Sequence, residues 1–220
     1  MKKFLKAFTL AETLIALAIV GIIATLTIPN LIDGYNKKIY VANVQKVYNL
    51  FSDSGRKCMS DNNTDSLAET DMTELNGVGN FLKTYFKVVK DCGVYSDDKE
   101  SCFADSYKDV DGTSAYTPAL DYKYCVVINT GAVICMDSMS TDGDSNYHGY
   151  SNVIFDVNGK KAPNTKGRDL FAFEFYSDGK VSEGYNIQTK INNCNPEISD
   201  GGYAAGCFTQ LIEHNWRMDY

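Results

Sequence analysis

From Leu10 to Ile32 the chain is almost wholly apolar. Glu12 is its only charge, and Thr13, Thr25, Thr27 and Asn30 are its only other polar side chains. A run of about 20 apolar residues is long enough to cross a bilayer as a helix. The helical rhythm then continues past the run. Ile32, Tyr35, Ile39, Tyr40, Val44, Val47, Tyr48 and Phe51 recur at spacings near three and four, while Lys37, Lys38, Asn43, Gln45, Lys46 and Asn49 fill the other positions. The pattern predicts one helix from about Phe8 to about Arg56, roughly 70 Å long at the α-helical rise. Gly21 and Pro29 fall inside it. Proline cannot donate to the carbonyl four residues back, here that of Thr25, so a kink or local melting is expected between Gly21 and Pro29.

After this helix the pattern changes. Ser60–Asn80 is rich in Asp, Asn, Ser, Thr and Gly and reads as a long connecting loop. Phe81–Lys90 reads as a short amphipathic helix carrying Phe81, Leu82, Tyr85, Phe86 and Val89. Strands are then expected at Tyr122–Ile128 and Ala132–Met136 around Asn129-Thr130-Gly131. Another is expected at Asn152–Val157 before Asn158-Gly159, and a last pair at Leu170–Ser177 and Lys180–Tyr185 around Asp178-Gly179. Phe171, Phe173 and Phe175 alternate with Ala172, Glu174 and Tyr176, as in a half-buried strand. No βαβ alternation occurs, so the sheet should be antiparallel and the class α+β.

Composition narrows the function classes. The 220 residues are 44% hydrophobic, enough for a core, and carry a net charge of −7. An acidic surface repels a phosphate backbone, which argues against nucleic acid as a partner. The only histidines are His148 and His214, with no GxSxG, HExxH or phosphate loop, so no enzymatic activity is expected. Seven cysteines without a CxxC point to disulfides formed outside the cytoplasm rather than to zinc. Lys2, Lys3 and Lys6 precede the apolar run and would hold that end in the cytoplasm. Cys125 and Cys135 are equidistant from Thr130, so that hairpin would set them opposite each other.

The string Lys6-Ala7-Phe8-Thr9-Leu10-Ala11-Glu12-Thr13-Leu14 resembles the processing site of type IV prepilins and type II secretion pseudopilins. In that family a short basic leader is removed by a prepilin peptidase. The new first residue, usually phenylalanine, is N-methylated, and a glutamate stands fifth in the mature chain. Counting Phe8 as first puts Glu12 fifth, and puts Pro29 at mature position twenty-two, where members tend to carry proline. The residue before the cut is usually glycine, and here it is Ala7. The resemblance covers about the first fifty residues.

The resemblance implies a leader at 1–7, cleavage between Ala7 and Phe8, and methylation of Phe8. It implies a transmembrane and polymerisation helix at 8–32, its amphipathic continuation at 33–57 and a globular antiparallel-sheet domain at 58–220. Glu12, costly alone in hydrocarbon, would pair with the Phe8 amine of a neighbouring subunit and set the register between subunits. The expected partners are like subunits, the peptidase and an inner-membrane assembly platform. The domain would lie beyond a bacterial cytoplasmic membrane, and the filament would be a type II secretion pseudopilus or a type IV pilus. A single-span anchored binding protein that does not polymerise is the alternative.

Cys194 and Cys207 resemble the pair that closes the C-terminal region of many type IV pilins. That leaves Cys92 and Cys102 as a local pair and Cys58 as the odd cysteine, with Cys58 pairing to Cys92 or to Cys102 as the alternatives. Asp156-Val157-Asn158-Gly159-Lys160 begins like a calcium loop. The EF-hand pattern then fails, with Lys160 at the third ligand position and Gly167 at the twelfth. Some pseudopilins bind calcium in loops of another type, which keeps Asp156, Asn158 and Asp169 as a candidate set; no other cofactor is expected.

Overall fold

The computed structural model describes residues 9–96, 101–110, 112, 115–116, 118, 120–140, 149–184, 194 and 206–220. The chain divides into two units, Met1–Ile39 and Tyr40–Tyr220. Helix α1 spans Leu10–Asn62. In the first unit its apolar side chains from Leu10 to Ile32 have no cover; the large ones are 51–78% exposed. In the second unit Val41, Val44, Val47, Phe51, Ser54, Gly55 and Cys58 are buried, one stripe at helical spacing.

The helix ends six residues beyond the expected Arg56. Asn63 takes φ 50°, its N–H donates to Ser60 O, and the Thr64 N–H donates to Met59 O. This left-handed cap closes the last turn, with asparagine doing what glycine commonly does.

The expected loop at Ser60–Asn80 is instead largely helical. Short 3₁₀ turns occupy Leu67–Glu69 and Asp71–Thr73, and helix α2 spans Leu75–Tyr85. The polar residues that suggested a loop are caps: the Ser66 and Thr70 side chains accept from the N–H groups of Ala68 and Met72. Leu67 and Met72 are fully buried between them. The helix expected at Phe81–Lys90 therefore starts and stops earlier. Gly77 and Gly79 hid its beginning, and both are forced by close approach. A Cβ on Gly77 would stand 1.7 Å from Asp71 O, and one on Gly79 would stand 2.5 Å from the Tyr124 ring. Beyond Phe86 the chain is strand β1, Val88–Val94.

The remaining strands are β2 (Tyr107–Lys108), β3 (Ala115–Tyr116), β4 (Lys123–Ile128), β5 (Val133–Asp137), β6 (Tyr150–Asp156), β7 (Leu170–Tyr176) and β8 (Val181–Ser182). Strands β1-β4-β5-β6-β7-β8 form one six-stranded sheet in that order, and β2 pairs with β3. Every pairing between these strands is antiparallel. The turn at Thr130 sets Cys125 opposite Cys135, and the two are joined. Disulfides also join Cys92 to Cys102 and Cys194 to Cys207, while Cys58 is a buried free thiol. Tyr185, the expected end of the last strand, lies outside the described residues.

The middle of the sheet, β4 to β7, is largely buried on both faces. One face packs Val126, Ile134, Phe155, Phe171, Phe173 and Phe175 against Val44, Val47 and Phe51 of α1 and Phe81 and Leu82 of α2. The other holds Cys125, Val133, Cys135, Ile154, Leu170 and Ala172 under Phe103, Tyr107 and Leu120. The strand at Phe171–Phe175 is covered on its second face at Leu170 and Ala172, while Glu174 and Tyr176 stay half-exposed as its alternation suggested. Phe103, Tyr107 and Leu120, from the described part of the chain between β1 and β4, lie over the face that the sequence pattern left to solvent. A short helix α3, Cys207–Glu213, closes the chain.

Candidate functional site

The first described turn of α1 is built by two residues. The Thr9 hydroxyl accepts from the Glu12 N–H at 3.2 Å, and Glu12 Oε2 accepts from Thr9 N–H and from Thr9 Oγ1, both at 2.8 Å. This is a reciprocal capping box: two N–H groups with no intrahelical partner are satisfied by side chains three residues apart. The Thr9 carbonyl already accepts from Thr13 N–H. The sequence analysis singles out Glu12 as an assembly residue but not its partner Thr9, although Thr-x-x-Glu before an apolar run is the sequence signature of such a box.

The other polar residues of the segment close on their own backbone. Thr13 Oγ1 donates to Leu10 O, Thr25 Oγ1 to Ile22 O, Thr27 Oγ1 to Ile23 O, and Asn30 Nδ2 to Leu26 O. The three threonine hydroxyls are turned back onto the helix, so the surface from Leu10 to Ile32 presents mostly hydrocarbon, with Glu12 and the exposed Asn30 amide as its polar points. This helix is long and apolar enough to cross a membrane. The helix runs without interruption through Gly21 and Pro29, so no melted turn stands there. Nothing lies within 4 Å of the Cβ position of Gly21. Ala7 and Phe8 lie outside the described residues.

The calcium candidates come together in the second unit. Asp156 ends β6, and Asn158 and Asp169 lie on the connection to β7. Asp156 accepts from Asn158 N–H at 2.9 Å and from Tyr107 Oη at 2.7 Å. Asp169 accepts from Asn164 N–H at 2.8 Å and from Thr165 N–H at 2.6 Å. Asn158 Nδ2 donates to Ala162 O. Burial, and after it the charge of Asp169, push the Asp156 carboxyl up to about 7. Burial raises Asp169 as well, against the opposing pull of the Thr165 and Asn164 N–H groups. A calcium ion takes about six to eight oxygens. Here all four carboxylate oxygens are already engaged by N–H or O–H groups of this chain. Among the described residues no three His, Cys, Asp or Glu side chains are placed to share a metal. As they stand, these residues clamp a turn, with the buried Asn158 Oδ1 left without a hydrogen-bond partner.

The C-terminal region is organised by a residue the sequence reading passed over. Glu183 is buried, and its two oxygens accept from Gly206 N–H at 2.6 Å and Thr209 N–H at 2.7 Å. It thereby satisfies the start of α3, where Gly206 has no side chain to do so. Cys207 is fixed beside Cys194, and Tyr220 Oη donates to Gly167 O.

No family model, curated protein or solved structure matches this chain.

Proposed function

We propose that this chain is a pilin-like structural subunit. It is cut between Ala7 and Phe8 by a prepilin peptidase, methylated on Phe8, and assembled through α1 into a type II secretion pseudopilus or a type IV pilus. The observation that carries the reading is the position of Glu12: one carboxylate, in the first turn of a helix whose apolar surface is otherwise uncovered for 23 residues, Leu10–Ile32. A surface of that kind is covered by lipid or by like helices. A carboxylate there costs about 2.5–3.5 kcal/mol on insertion scales unless paired. The amine freed at Phe8 would be the matching charge, and in a helical stack it would come from the neighbouring subunit. In this reading the basic end stays in the cytoplasm and the disulfide-bearing unit lies beyond the membrane, where those bonds form. The subunit acts by assembly, with no catalytic step of its own.

The test is the mass of the N-terminal peptide of the protein taken from its native membrane or filament fraction. A start at Phe8 with one added methyl group is the expected result. A start at Met1 overturns it in favour of an anchored protein that does not polymerise. A start beyond Thr27 would mean an ordinary secreted protein.

A further inference from the structure

Two segments distant in sequence are locked together beside β2. The Lys108 N–H donates to Asn164 O at 2.8 Å, and the Lys166 N–H donates to Lys108 O at 3.0 Å. Lys108 and Thr165 are therefore parallel partners. In a parallel register the next residue of each segment is also side by side, and on the same face. Those residues are Asp109 and Lys166. Lys166 is 0% exposed and Asp109 is 1% exposed. Lys166 Nζ stands 3.4 Å from Asp109 Oδ1, and the same oxygen accepts from the Val110 N–H at 2.8 Å. A buried ion pair gains little over the cost of desolvating two charges, so stability alone is a weak reason for this arrangement.

We propose that Lys166 and Asp109 are joined by an intramolecular isopeptide bond. Lys166 Nζ attacks Asp109 Cγ; the Nζ–Cγ bond forms and one Cγ–Oδ bond breaks. The departing oxygen leaves as water with two of the three ammonium protons. An ammonium and a carboxylate thus become a neutral amide and one water, and no oxidant or activating group is consumed. Two features of the site favour the step. The backbone register holds amine and carboxyl at contact, which replaces a bimolecular encounter by an intramolecular one. The burial of both side chains removes the solvent that otherwise favours hydrolysis.

The bond would tie the β1–β4 connection to the β6–β7 connection in a way no reductant could open. It is independent of the filament reading.

The experiment is the intact mass of the full chain, denatured and with disulfides reduced and alkylated, followed by proteolysis. The expected mass is one water below that of the sequence, for the N-terminus actually present, with a branched peptide linking Lys166 to Asp109. Lys166→Arg and Asp109→Ala should each restore the full mass, and this readout does not require the variants to fold. A wild-type chain at full mass overturns the proposal. So does a water lost elsewhere, such as a succinimide at Asp178-Gly179.

Discussion

Phe51 of α1 stands edge-on to Phe173 of β7, with ring centroids 5.1 Å apart and planes at 85°. The same ring meets Phe86 at 4.9 Å and Phe175 at 5.2 Å. One fully buried side chain thus joins the long helix, the segment after α2 and the sheet. Edge-to-face contacts of this kind add to the burial of apolar area. Phe51→Ala leaves a cavity at that junction and should cost about 3–5 kcal/mol. Thermal unfolding of the detergent-solubilised chain checks this; an unchanged midpoint would mean that the ring is not the keystone described.

Glu12 has two partners in prospect, Thr9 within its own helix and an amine in a filament. Glu12→Ala should leave the protein in the membrane fraction and remove it from filaments. Thr9→Ala should cost only the cap, about 0.5–2 kcal/mol, with assembly reduced rather than lost. Fractionation of both variants reads the difference. Normal assembly of Glu12→Ala would refute the register role.

The buried Asp156 makes stability depend on pH. Its folded-state value of about 7 lies above the ordinary 3.8, so the folded state binds the proton more tightly than the unfolded chain. The contribution is fully present below the ordinary value and is lost as pH rises toward 7. The loss is on the order of 4 kcal/mol. The chain should unfold more readily at pH 8 than at pH 5, and Asp156→Asn should flatten that dependence. A wild-type profile that rises over the same range would contradict it.

The disulfides differ in access. Cys194 and Cys207 are 0% exposed, whereas Cys92, bonded to Cys102, is partly exposed. Under native conditions a thiol reductant should open Cys92–Cys102 first. Cys194–Cys207 should open, and Cys58 be alkylated, only on unfolding. Timed alkylation with peptide mass mapping follows the order.

The two glycines of α2 should not tolerate a methyl group. Gly77→Ala drives a Cβ into Asp71 O and should destabilise by about 1–3 kcal/mol, seen as a lower unfolding midpoint. Gly21→Ala has open space around it and should leave the midpoint of the second unit where it was.

The long helix, the hairpins and their antiparallel pairing are legible in the sequence, because each is written in a local period. The 3.6 rhythm from Leu10 to Phe51, the alternation at Phe171–Phe175 and the symmetric spacing of Cys125 and Cys135 about Thr130 need no distant partner to be read. The remaining features depend on residues far apart in the chain. The turns and α2 in the expected loop exist because Leu67 and Met72 are buried and because Gly77 and Gly79 let α2 pass close to Asp71 and Tyr124. The second covered face exists because Phe103 and Tyr107 fold back over Ile154 and Leu170. Lys166 meets Asp109 only through the pairing of Lys108 with Thr165. Local patterns record which way a side chain faces; they do not record what arrives to cover it.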